Sequence, residues 1–86
     1  MEIEFTPQAK KELDFWKKSG KQNIIEKIKQ LIDAIVENPY DGIGKPEALK
    51  HDLFPKWSRR INKEHRIVYE VKDNILYIFS LKGHYE

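Results

Sequence analysis

Apolar residues recur along this 86-residue chain with two different periods, and the switch between them outlines the fold. Ile3 and Phe5 alternate with Glu2 and Glu4, the two-residue period of a short half-buried strand. Thr6-Pro7 then offers an N-cap followed by a proline at the first helical position, and Gly20 a stop. Between them Ala9, Leu13 and Trp16 share one helical face. A second helix is predicted from about Gln22 to Glu37, where Ile24, Ile25, Ile28, Leu31, Ile32, Ile35 and Val36 form a wide apolar stripe. Asn38-Pro39 ends it, because the residue before a proline is pushed out of the helical region.

The link near Ser19 to Lys21 is so short that the two helices are expected to form an antiparallel hairpin. Their stripe needs a surface to cover. Trp57 to Asn62, Arg66 to Lys72 and Ile75 to Leu81 supply three strands, the last two joined by a tight turn at Asp73-Asn74. The expected class is therefore α+β: an N-terminal strand and a helical hairpin packed on a mainly antiparallel four-stranded sheet, as one domain over residues 1–86. Register follows from parity. Trp57 and Ile61 must share a face with Ile67, Tyr69 and Val71, which pairs Asn62 with Arg66 and Arg60 with Val68 and leaves Lys63-Glu64-His65 as a loop. Arg60 and Arg66 then lie on one face and Arg59 on the other. Pairing Lys72 with Ile75 brings Leu81 opposite Arg66, so the residues after Leu81 emerge beside that arginine.

Composition narrows the chemistry. The absence of cysteine excludes disulfides and thiolate chemistry, and gives no reason to expect an oxidising compartment. The N-terminal residues lack the pattern of a secretory signal and no apolar run is long enough to span a membrane, so a cytoplasmic location without membrane attachment is expected. His51, His65 and His84 are scattered without a helical i, i+4 pair, which predicts no metal and no other cofactor. Net charge is +2, but residues 45–66 hold 7 Lys or Arg against 3 Asp or Glu while both flanks are slightly acidic. Such a stretch suits a polyanion, or is an ordinary solvated surface.

Cleaving a phosphodiester without a metal needs a base for the attacking hydroxyl, an acid for the leaving oxygen and a cation where charge develops on phosphorus. RNA supplies its own nucleophile in the 2′-OH. Glu47, His84 and Arg66 have the required chemistry. Taken singly, each also has a plain reading: Glu47 as a first-turn residue of a short helix from Pro46, Arg66 as a cross-strand partner of Glu70 or Asn62, and His84 as a solvated histidine. His51 and His65 read either as nucleic-acid contacts of the basic stretch or as plain surface residues.

The segments Gly42-Ile43-Gly44-Lys45-Pro46-Glu47-Ala48-Leu49-Lys50-His51, Trp57-Ser58-Arg59-Arg60-Ile61, Glu64-His65-Arg66-Ile67-Val68-Tyr69 and His84-Tyr85 resemble, in order and spacing, the YoeB/Txe toxins of the RelE/ParE superfamily. That resemblance implies a RelE-like fold and a ribosome-dependent endoribonuclease of a type II toxin-antitoxin system, cutting mRNA in the A site. It implies Glu47 as general base, His84 as general acid, Arg66 as stabiliser of the phosphorane and Tyr85 as a stacking residue that orients the nucleotide. Lys50, Arg60, Arg59, Lys45 and His51 would contact RNA. The partners implied are an acidic YefM/Axe-like antitoxin, the ribosome with its mRNA, and a second copy of the chain. A ParE-like toxin that binds DNA gyrase is the alternative on the same architecture.

Overall fold

The computed structural model describes residues 1–83. Its elements run β1 (Glu2–Phe5), α1 (Pro7–Ser19), α2 (Gln22–Glu37), β2 (Glu47–Ala48), a single 3₁₀ turn (His51–Leu53), β3 (Trp57–Arg60), β4 (Arg66–Lys72) and β5 (Ile75–Ser80). Helix α1 starts where Thr6 Oγ1 accepts the Ala9 N–H at 3.2 Å, and stops where Gly20 takes up a left-handed φ of 74°. Helix α2 ends at Asn38, whose backbone is already extended.

The helices cover one face of a sheet ordered β1-β5-β4-β3-β2. Strand β1 runs parallel to β5, and every other pair is antiparallel. Ile24, Ile28, Leu31 and Ile35 of α2 meet Ala9 and Trp16 of α1 over Ile67, Tyr69, Leu76 and Ile78. Full burial of one such aliphatic side chain stabilises by about 1.5–3 kcal/mol, so this layer holds the hairpin to the sheet.

Three details differ from the sequence expectation. The sheet has five strands, not four, because Glu47–Ala48 forms a short edge strand on β3 where a loop or first helical turn was expected. Strand β3 ends at Arg60 and pairs it with Arg66, two residues away from the predicted offset. Asn62 explains the shift: its Oδ1 accepts the N–H groups of Glu64 and His65 at 2.9 and 2.8 Å, while the Ile61 and Asn62 N–H groups both reach His65 O. A side chain thus replaces ladder bonds that the longer strand would have made. Parity is unaffected, so Arg60 and Arg66 still share a face.

The third difference is a bulge. Val68 pairs with Ser80 but Tyr69 with Ile78, leaving Phe79 as the extra residue. Beyond it the alternation of β5 is reversed, and Leu81 is fully buried in the core where uninterrupted pairing would have set it opposite Arg66. Arg66 meets Gly83 in its place, donating its N–H to Gly83 O at 2.8 Å. Asp73 and Asn74, with φ of 54° and 62°, form the expected tight turn at the other end. No helix among the described residues is long and apolar enough to cross a membrane.

Candidate active site

Strands β2, β3 and β4 lie side by side, and their register decides which side chains meet. Glu47 is opposite Ser58, and Arg60 opposite Arg66. All four project from the face away from the helices. Arg66 is a strand residue with a half-buried side chain, and its guanidinium reaches back across β3. Nη1 donates to Glu47 Oε1 at 3.0 Å and to Ser58 Oγ at 3.2 Å. Ser58 is fully buried and leaves the guanidinium little freedom on that side. Glu47 remains open to solvent, so the ion pair has a rigid cationic half and an accessible anionic half.

The loop entering β2 is shaped by Gly44 and Lys45, both left-handed with φ of 83° and 53°. A Cβ on Gly44 would stand 2.7 Å from Leu31 Cδ2 and 3.1 Å from Arg59 Cβ, so only glycine lets the loop press against α2 and β3 there. Gly44 O accepts the Arg60 N–H at 2.6 Å and fixes where Glu47 begins. Two grooves flank the ion pair. One, of about 490 Å³, is lined by Glu47, Leu49, Lys50, His51, Leu53 and Arg66; the other, of about 250 Å³, by Lys45, Pro46, Glu47, Arg60 and Arg66. Glu47 and Arg66 are common to both, and the exposed cations Lys45, Lys50 and Arg60 stand around them.

The structure thus brings together Glu47, Arg66, Lys45, Lys50, His51 and Arg60. It removes Arg59 from the set expected to contact RNA. Arg59 is fully buried on the helix-facing side, where its nitrogens donate to Tyr69 Oη at 3.1 Å and to the carbonyl oxygens of Ile43, Asp41 and Asn38. Four of its five N–H groups are taken by these acceptors and the side chain is fully buried, which keeps it from reaching a phosphate. Tyr69 is fully buried beside it and donates to Pro39 O at 2.6 Å; burial pushes the phenol's pKa up, partly countered by the Arg59 guanidinium. This pair anchors residues 38–43, the stretch that leads into the site.

His84 and Tyr85 lie outside the described residues. Gly83, directly before them in sequence, is held against β4 by the bond from Arg66. Ser58 was missed in the sequence, although its parity with Arg60 and Arg66 was a usable signal. His65, expected on the surface, is half-buried with its ring edge-on to Trp16 at 4.8 Å between centroids. Among the described residues no group of three His, Asp or Glu side chains is placed to hold a metal ion.

Residues 5–85 match the family model of YoeB-like toxins of bacterial type II toxin-antitoxin systems. The "Toxin YoeB" of a Synechocystis strain is 48% identical over 71 residues, 83% of each chain. Among solved structures, a "YoeB/ParE toxin from Agrobacterium tumefaciens" superposes with a TM-score of 0.92 at 36% identity, covering 99% of this chain and all of that one. The Staphylococcus aureus YoeB is 43% identical, with coverage of 99% and 98%. It is known both as a dimer, TM-score 0.90, and in a heterotetramer with YefM antitoxin, TM-score 0.89.

Proposed function

This chain belongs to the YoeB-like toxins of bacterial type II toxin-antitoxin systems, and on that premise we propose that it is an endoribonuclease acting on mRNA in the ribosomal A site. The observation that carries the reading is the position of Arg66, bonded to Glu47 and Ser58 where two cation-lined grooves meet. A strand of RNA laid across both grooves puts one phosphate at the guanidinium. That phosphate competes with Glu47 for Arg66 and releases the carboxylate to accept the proton of the adjacent 2′-OH. The 2′ oxygen attacks phosphorus, Arg66 neutralises the charge gathering on the equatorial oxygens, and the 5′ oxygen leaves with a proton.

The resemblance assigns that last proton to His84 and nucleotide stacking to Tyr85; both follow Gly83, whose carbonyl oxygen is bonded to the Arg66 N–H. The products are a 2′,3′-cyclic phosphate and a 5′-hydroxyl. Lys45, Lys50, His51 and Arg60 serve as contacts to mRNA and ribosomal RNA, and the expected metal-independence follows from the acid-base set being complete without one. As in the S. aureus relative, the expected partners are a YefM-like antitoxin and a second copy of the chain.

The test is cleavage of mRNA on programmed ribosomes, with mapping of the new 5′ ends and of their terminal groups. Loss of A-site cuts in Glu47→Gln, Arg66→Ala and His84→Ala is the expected result. Cutting by all three at the unmodified rate overturns the mechanism, and growth arrest with no cut RNA anywhere overturns the activity.

A further inference from the structure

Residues 81–83 are held by a set of contacts that the cleavage mechanism does not itself require. The Leu81 N–H donates to Glu12 Oε1 at 2.7 Å, and the buried indole N–H of Trp16 donates to Leu81 O at 2.9 Å, so helix α1 grips the end of β5 from both sides of one residue. Two residues on, both backbone groups of Gly83 are engaged by consecutive residues of the chain. Gly83 O accepts from the Arg66 N–H at 2.8 Å, and the Gly83 N–H donates to Nδ1 of His65 at 2.9 Å.

The histidine is itself fixed. Its N–H is bound by Asn62 Oδ1, its carbonyl oxygen accepts from Ile61 and Asn62, and its ring rests on Trp16 with planes at 76°. An imidazole that accepts at Nδ1 carries its proton on Nε2, and no other common ring of similar size offers an acceptor at that position. Gly83 restrains nothing by itself: it has a left-handed φ of 78°, and a Cβ there would meet nothing within 4 Å. The restraint on this residue comes from two hydrogen bonds, one to each of the peptide groups that flank its Cα.

We propose that His65 is a positioning residue for the reaction: through the Gly83 N–H it fixes the Lys82–Gly83 peptide, directly before the segment bearing His84 and Tyr85. The inference rests on the reading of His84 as the acid, and adds the device that registers it to Arg66. Because the anchors are consecutive, His65 directly before β4 and Arg66 its first residue, the cation at the phosphate and the root of the acid's segment are placed by the same stretch of chain. A displacement of about 1 Å at a reacting group costs on the order of 100-fold in rate.

The experiment compares His65→Phe, which keeps a ring against Trp16 and removes the acceptor, with His65→Asn, which restores an acceptor oxygen near the position of Nδ1 and gives up the ring. Amide exchange at Gly83, followed by NMR on the isolated full chain, is expected to speed up at least about 10-fold in His65→Phe and to stay slow in His65→Asn. On programmed ribosomes the maximal cutting rate of His65→Phe is expected to fall about 10- to 100-fold, with the half-saturating ribosome concentration unchanged within about twofold, and His65→Asn to recover most of the rate. Equal Gly83 exchange in all three proteins overturns the anchor. A rate loss in His65→Phe that His65→Asn does not recover, or one expressed only in half-saturation, overturns the positioning role. If the unmodified chain cuts no mRNA, the functional reading fails and takes the kinetic role with it, while Gly83 exchange still decides the anchor.

Discussion

Arg66 and Glu47, nineteen residues apart in sequence, meet at 3.0 Å across the intervening strand β3. The arginine end is seated on buried Ser58, whereas the carboxylate faces solvent. Glu47→Gln preserves a hydrogen-bond acceptor for Arg66 but not a base. It is expected to lower the cutting rate by about 10²- to 10⁴-fold while changing stability by less than about 1 kcal/mol, since one partner of the pair is exposed. Single-turnover cutting on programmed ribosomes and a thermal melt check the two halves. A matching loss in both would make Glu47 structural.

Arg59 and Arg60 are adjacent and have opposite fates. Arg59→Met leaves the carbonyl groups of Asn38, Asp41 and Ile43 without their donor, so a loss of about 2–4 kcal/mol is expected, equivalent to a melting temperature lower by roughly 10–20 °C. Arg60→Met, at an exposed position, is expected to melt within a few degrees of the unmodified protein and to weaken ribosome binding instead. Calorimetry and salt-dependent binding together distinguish the two residues.

Burial raises the Tyr69 pKa above the ordinary phenol value of 10.0. The unfolded chain therefore gives up this proton at lower pH than the folded one. The contribution is intact below about pH 10 and is lost as pH rises through the folded-state value. In Tyr69→Phe the fall of melting temperature between pH 9 and 11 is expected to be shallower than in the unmodified protein, from a neutral-pH stability lowered by about 1–2 kcal/mol through the lost bond to Pro39 O. Identical alkaline slopes would assign the limb to other groups.

Gly44→Ala tests the loop that delivers Glu47. The added methyl stands 2.7 Å from a core leucine, on a backbone that disfavours any L side chain, so a loss of at least about 2 kcal/mol is expected. Gly20→Ala, where nothing lies within 4 Å, should cost only the left-handed strain, about 1 kcal/mol. Urea denaturation of the pair separates crowding from strain.

Both helices and strands β4 and β5 were legible because caps and apolar periods act within a few residues. Alternation also fixed which face Arg60 and Arg66 share. What period two cannot fix is offset, and offset here is set by side chains: Asn62 Oδ1 shortens β3, and the extra Phe79 carries Leu81 into the core. Arg59 was misread for a related reason. Its partners are backbone carbonyls of a loop, which carry no signature in sequence. Glu47 and Arg66 stood out as residue types, yet their meeting required β2, an edge strand too short to announce itself.

The parallel pairing of β1 with β5 sets Glu2 against Ile75 and Phe5 against Ile78. During synthesis the helical hairpin can form as soon as its own residues emerge, but β1 has nothing to pair with until residue 78 exists. Closing so long a loop comes late in folding. The contacts of Leu81 with Trp16 and of Gly83 with His65 and Arg66 come later still. A chain still growing on its ribosome therefore has the hairpin before it has the finished site.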